Sequence, residues 1–180
     1  MIEMGNVRIE TKNLIIRNFE CTDEADLCEY MLQRVDAEFE GYPDFTAEKV
    51  KEEITFRSGS DEFFAIELKE EHKVIGNVYF GKRDFNTREL GYVLNTKYHR
   101  KGFGSEACKA MVEYGFDKGI HRVYAECAPQ NTASWKLMEK IGLQREAFFK
   151  KNVSFHQDEQ GNPIYWDTYV YATLNPNELV

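Results

Sequence analysis

Two glycines set between an apolar strand and an amphipathic helix constrain this chain more than any other feature: Tyr98-His99-Arg100-Lys101-Gly102-Phe103-Gly104-Ser105-Glu106-Ala107. Upstream, Leu90 to Leu94 reads as a buried strand. Downstream, the polar residues Glu106, Lys109, Glu113 and Asp117 fall on one helical stripe opposite Ala107, Ala110, Met111 and Tyr114. The loop therefore delivers a helix N-terminus beside a strand end. Backbone N–H groups there lack intrahelical partners and carry the positive end of the helix dipole. Gly102 and Gly104 are expected to let an anion approach with no Cβ in its way, so the pattern suits a pyrophosphate.

Neighbouring residues narrow the chemistry. A dinucleotide fingerprint requires a third glycine, but the residue three after Gly104 is Ala107, and no run of alternating parallel strands and helices surrounds it. No Gly-Lys-Ser or Gly-Lys-Thr follows four variable residues, which removes the nucleotide-hydrolase loop. The excess of 31 acidic over 23 basic residues, a net charge of −8, argues against nucleic acid, whose phosphates need a basic face. A cationic partner is easier to attract, although such a balance also serves solubility alone. No apolar run is long enough for a membrane span, and residues 1–5 have neither region of a signal peptide, so a cytoplasmic protein without membrane contact is expected. Cys21, Cys28, Cys108 and Cys127 show no Cys-x-x-Cys spacing, and the four histidines are scattered; reduced thiols and no metal site are expected.

At 180 residues the chain is read as one domain, 1–180. Asn13 to Phe19 reads as a strand, and Thr22 as the cap of a helix through Ala25, Leu27, Tyr30, Met31 and Val35, ended by Gly41 and Pro43. Thr46 starts a second helix, with Val50, Ile54 and Phe56 inward, stopped at Ser58-Gly59-Ser60. Strands follow at Glu62 to Lys69, Lys73 to Gly81 and Thr87 to Leu94, the first two joined at Glu70-Glu71-His72. Then come the glycine-loop helix to Lys118, a strand from His121 to Cys127, a helix from Asn131 closed by Gly142, and strands at Leu143 to Phe155 and Ile164 to Leu174. This order predicts an α/β fold with a mixed sheet and helices on both faces.

A second segment lies about 25 residues after the glycine loop: Ala128-Pro129-Gln130-Asn131-Thr132-Ala133-Ser134-Trp135-Lys136-Leu137-Met138-Glu139-Lys140-Ile141-Gly142-Leu143. Together with the loop, Lys12 to Phe19 and Arg88 to Leu94, it resembles the GNAT superfamily of acetyl-CoA-dependent N-acetyltransferases. It most resembles the subfamily containing the ribosomal-protein N-terminal acetyltransferases, over nearly the whole length. The resemblance implies a mostly antiparallel sheet splayed between the fourth and fifth strands, Thr87 to Leu94 and His121 to Cys127, with the pantetheine arm in the splay. It implies acetyl-CoA as co-substrate, bound by Tyr92, Val93, Leu94, His99, Arg100, Lys101, Gly102, Phe103, Gly104, Ser105, Asn131 and Ser134, and no metal. The chain departs from the pattern at two positions. His99 stands where the superfamily usually has Gln or Arg, with Arg100 and Lys101 supplying charge beside it. Met138 replaces the Tyr that often protonates the leaving thiolate, which excludes a tyrosine acid at that position.

Acetyl transfer to an amine needs a bound thioester, a deprotonated amine, a stabilised oxyanion and a released thiolate. Glu89, on a central strand where a carboxylate is costly to bury, is the leading base, against a structural pairing with Arg88 or a neighbouring strand; Asp84 is the alternative. Ser134 is the hydroxyl implied as acid by the ribosomal-protein subfamily, or else a cofactor ligand; Asn131 can both bind cofactor and cap its helix. Cys127 has no sequence-adjacent His to activate it, which disfavours an acetyl-cysteine route. Tyr165, Tyr169 and Tyr171 read as core, with room for one to line the acceptor pocket. By family resemblance the acceptor lies against Asp36 to Phe45, with Glu38, Phe39, Glu40 and Tyr42 suited to a cationic amine or else forming a solvated turn. The expected activity is direct attack by a primary amine, a protein N-terminus or small molecule, in a ternary complex. A polyamine or antibiotic acceptor, a longer acyl donor, a homodimer and an acyl-CoA-binding regulatory module without turnover remain open.

Overall fold

The structure, a computed structural model, describes residues 4–33 and 46–178. The segment expected to meet the acceptor, including Glu38, Phe39, Glu40 and Tyr42, lies outside the described residues, as does Val35. Among the described residues eight strands and four α-helices follow in the order β1 (Arg8–Glu10), β2 (Leu14–Asn18), α1 (Glu24–Met31), α2 (Ala47–Ser58), β3 (Phe63–Leu68), β4 (Lys73–Arg83), β5 (Thr87–Leu94), α3 (Phe103–Asp117), β6 (Arg122–Cys127), α4 (Thr132–Lys140), β7 (Gln144–Gln157) and β8 (Pro163–Leu174). They form one sheet in the order β1-β2-β3-β4-β5-β6-β8-β7, antiparallel except where β5 meets β6.

That single parallel junction sets the function-bearing geometry. β5 and β6 pair only at Thr87↔Arg122, Arg88↔Val123 and Glu89↔Tyr124; beyond Glu89, β5 stays paired to β4 while β6 pairs with β8 alone. The sheet opens into a V at its centre, as the family resemblance implies. Alternation along the strands gives each face its own core. Leu14, Ile16, Phe64, Val78, Phe80, Leu90 and Val123 pack with Met111, Cys108 and Met138 of α3 and α4. On the opposite face Ala65 and Val74 pack with Leu27, Tyr30, Val50 and Ile54 of α1 and α2.

Local chemistry fixes the helix ends. The Thr46 side chain accepts from the Lys49 N–H at 3.4 Å and starts α2. The Asn131 Oδ1 accepts from the Ser134 N–H at 3.1 Å and starts α4, which ends where Gly142 turns left-handed and the Leu143 N–H reaches the Met138 carbonyl. Between β7 and β8, Asp158 Oδ1 accepts the Gln160 and Asn162 N–H groups and makes the turn.

Several sequence expectations are corrected here. β1 was not anticipated; three residues are too short to show alternation, and its position comes from pairing with β2. α1 begins at Glu24 after a 3-10 turn, Cys21–Asp23, where Asp23 and Glu20 exchange capping bonds, so Thr22 is not the cap. Phe56 is 60% exposed rather than inward. The inward row of α2 continues from Val50 and Ile54 to Arg57, whose guanidinium donates to Glu53 Oε1 and Asn77 Oδ1 and lies over the Phe63 ring. Of Leu90 to Leu94, only Leu90 is fully buried; Gly91 to Leu94 are half-buried beside the opened V.

Candidate active site

The V opens into a cleft of about 560 Å³ bounded by β5, the segment after it, the start of α3, α4 and the end of α1. Tyr92, Val93, Leu94, His99, Arg100, Gly102, Phe103, Gly104, Ser105, Asn131 and Ser134 all line it. Lys101 does not; its ammonium lies 5.2 Å from the centre of the Tyr98 ring. Sequence reasoning missed Lys136 and Lys140, one helical turn apart on α4, as well as Thr96, Tyr30, Met31 and Gln33. The two lysines were legible in principle, since their i, i+4 spacing puts them on one helix face.

Gly102 precedes α3 with φ +89°, and no side chain caps the helix. The N–H groups of its first turn thus open onto the cleft beside Arg100, Lys136 and Lys140. In a chain of net charge −8 this is a local concentration of cations at a positive helix end. The two glycines have different reasons for being there. Gly102 holds a left-handed conformation, with open space where its Cβ would stand, whereas a Cβ on Gly104 would come 3.1 Å from Leu137 Cδ1 of α4. Gly104 therefore also brings α3 close to α4, a packing role that the sequence did not indicate.

His99 Nε2 lies 2.9 Å from the Leu94 carbonyl and ties the loop to the end of β5. Buried Asn95 ties the same end to α1, donating to Glu29 and accepting from Gln33. Ser134 stands where three elements converge. The Tyr92 hydroxyl of β5 donates to the Ser134 carbonyl at 3.0 Å and lies 2.9 Å from its Oγ, and the Cys127 thiol of β6 also hydrogen-bonds the Ser134 side chain. Burial pushes the Cys127 thiol up to about 11, despite that bond. Met138 is buried in the core.

Glu89 is the last β5 residue paired to β6 and does not line the cleft wall. Its carboxylate accepts from Arg83 and from the Tyr124 hydroxyl at 3.3 Å, while Arg88 turns to the other face and donates to the Phe80 carbonyl. Glu126, two residues beyond Tyr124 on the same strand face, was not singled out from sequence. The residue is exposed as a whole, yet surrounding protein partly desolvates its carboxyl; this and the nearby Glu89 charge raise its proton affinity against the opposing pull of Arg83. The signal available in sequence was alternation: Val123 and Ala125 face the core, so Tyr124 and Glu126 face away from it. Asp84 lies exposed in the turn before β5, and of the three tyrosines Tyr171 is buried, Tyr169 is half-buried and Tyr165 is 55% exposed. Among the described residues no group of three or more His, Cys, Asp or Glu side chains can hold a metal ion, and no helix is long and apolar enough to cross a membrane.

Comparison with known proteins agrees with this geometry. The uncharacterized N-acetyltransferase YnaD of Bacillus subtilis is 38% identical over 174 residues, 93% of this chain and 97% of its own length. The [ribosomal protein uS5]-alanine N-acetyltransferase of Escherichia coli is 30% identical over 98 residues, 52% of this chain and 50% of that protein. A crystal structure of a GNAT-family acetyltransferase from Bacillus anthracis superimposes with a TM-score of 0.85 at 36% identity, covering 94% of this chain and 99% of that one. Residues 13–144 match the acetyltransferase (GNAT) domain family, and with a relative that covers it almost end to end, the chain belongs to the GNAT acetyltransferases.

Proposed function

We propose that this protein transfers an acetyl group from acetyl-CoA to a primary amine by direct attack in a ternary complex. The observation that carries this reading is the uncapped N-terminus of α3, rimmed by cations and opening into the V between β5 and β6. Acetyl-CoA supplies an activated acyl carbon and a thiol leaving group. The N–H groups at Gly102 to Ser105 hold its pyrophosphate, with charge from Arg100, Lys136 and Lys140, and Lys101 just outside. The inner edge of β5 at Tyr92, Val93 and Leu94, past the end of its ladder with β6 and with Asn131 across the cleft, suits the amide-bearing pantetheine arm.

An alkyl amine is mostly protonated at neutral pH, so a carboxylate must remove a proton, directly or through water. Glu89 is the proposed base, and Glu126 shares the task. Glu89 is charge-paired to Arg83, which holds it in place, whereas partial desolvation and the neighbouring like charge raise the proton affinity of Glu126 above that of an ordinary carboxylate. Ser134 offers the hydroxyl that meets the departing sulfur. The uncharged Cys127 thiol is a poor nucleophile, which favours direct attack over an acetyl-cysteine. A protein N-terminus is the acceptor named for one relative, and small amines including polyamines remain in the same proposal. The carboxylates and aromatics of Glu38, Phe39, Glu40 and Tyr42 are proposed to receive it.

The test is an acceptor screen reading released CoA thiol, run with peptides bearing free N-termini, polyamines and amino sugars. Transfer to at least one primary amine is expected. Glu89→Gln and Glu126→Gln should each lower turnover while sparing acetyl-CoA affinity, the larger loss marking the principal base. Tight acetyl-CoA binding with no transfer to any amine would instead indicate a binding module.

A further inference from the structure

We propose that Tyr92 is a positioning residue for proton delivery to the leaving sulfur, acting through Ser134. If β5 and β6 kept their parallel register past Glu89↔Tyr124, Tyr92 would stand opposite Cys127. The strands have parted there, and the Tyr92 side chain spans the gap on the α3 and α4 side to reach Ser134. A phenol has one hydrogen. The Ser134 carbonyl can only accept, so that hydrogen is committed to it at 3.0 Å, and the phenol oxygen 2.9 Å from Oγ serves as acceptor for the Ser134 hydroxyl.

Two consequences follow. The first turn of α4 is pinned to β5, and the serine rotor, free in most settings, is held by Tyr92 at the cleft wall. As the thioester C–S bond breaks and its electron pair moves to sulfur, a charged acceptor appears beside a neutral one and takes the Ser134 hydrogen. The proton passes from Oγ to sulfur. Water returns one to Oγ, matching the proton that the carboxylate removed from the amine and released to water. Met138 offers no hydroxyl to this step, so the alignment of Ser134 falls to a residue outside α4.

This inference rests on the acetyl-transfer reading, and the experiment separates the two. Turnover, acetyl-CoA KM and CoA affinity by calorimetry are measured for the wild type, Tyr92→Phe, Ser134→Ala, the double variant, and Ser134→Thr with and without Tyr92→Phe. The Phe ring keeps its packing against the core, and a melting curve checks the fold of each variant. Tyr92→Phe should lower kcat about three- to tenfold, the value of one net hydrogen bond, with KM and CoA affinity within about twofold, as for an interaction used only in the chemical step. Ser134→Ala should lower kcat more, and adding Tyr92→Phe to it should cost nothing further. In the Ser134→Thr background, which restores a hydroxyl, the Tyr92 effect should return.

An unchanged kcat in Tyr92→Phe, a loss that adds to that of Ser134→Ala, or a loss confined to CoA affinity would overturn the proposal and make Tyr92 a strut. Full turnover in Ser134→Ala overturns it as well, while leaving acetyl transfer intact. A wild-type protein that acetylates no amine removes the functional reading itself, and the proposal with it.

Discussion

The two glycines of the anion loop can be separated by substitution, because each answers a different constraint. At Gly102 a new Cβ meets nothing within 4 Å, so Gly102→Ala is purely a conformational penalty at φ +89°. Holding an L-residue in the left-handed region costs about 1 to 2 kcal/mol, which for a chain of this size is a drop in Tm of about 2 to 8 °C. If the loop relaxes instead, the N–H groups at the start of α3 turn away from the ligand. Losing one charge-assisted bond, about 1.5 to 3 kcal/mol, weakens acetyl-CoA by about 10- to 150-fold. Gly104→Ala behaves differently. Its position is helical, and replacing glycine there gains up to about 1 kcal/mol, offset by a contact at 3.1 Å with a flexible Leu137 methyl. Stability and affinity should stay near wild type, whereas the branched Gly104→Val overpacks the junction of α3 and α4 by about 1 to 3 kcal/mol. Thermal melts and calorimetric titration with acetyl-CoA read both quantities. A Gly102→Ala protein that melts and binds like the wild type, or a Gly104→Ala protein that fares worse than it, would refute this division of roles.

Three further outcomes are expected. Cys127→Ala should retain most of its turnover, and mass spectra of the wild type incubated with acetyl-CoA should show no acetylated enzyme, since a thiol with a pKa of about 11 is uncharged at neutral pH. Arg57→Leu should destabilise by about 2 to 3 kcal/mol, read as a lower urea midpoint at unchanged slope, because it strips Glu53 and Asn77 of a buried donor. Glu29, held down to about 2 by Lys97, Lys73 and Asn95, contributes stability that is present above its unfolded pKa and lost as pH falls through the folded value. Glu29→Gln should therefore flatten the loss of stability between pH 4.5 and about 2; an identical acid limb would show that the contribution is absent.

Features written in local sequence were the ones that could be read from it. Asn131 and Gly142 bracket α4, Thr46 starts α2 and Asp158 to Asn162 turn β7 into β8, because each acts on backbone groups a few residues away. Half of the residues that line the cleft were also singled out, through the ordered motifs. What escaped depends on partners distant in the chain. Arg57 displaces Phe56 from the interior because Asn77 of β4 and the Phe63 ring supply a polar and aromatic niche there. Glu126 becomes a candidate base only when β6 is laid beside β5, which brings Glu89 and Arg83 near it. The reason for Gly104 likewise belongs to α4, one element away.

The short parallel ladder of β5 and β6 has a consequence for the sheet as a polymer surface. Past Glu89 and Tyr124 two strands run on with their facing edges unladdered, and an exposed edge is ordinarily a template on which another chain can add a strand and aggregate. Here both edges are interior. β5 is shielded outwardly by β4 and β6 by β8, and the Tyr92 side chain crosses the gap between them to α4. With their outer edges laddered, the two open edges lie inside the sheet rather than at its rim, where an incoming strand would ordinarily add.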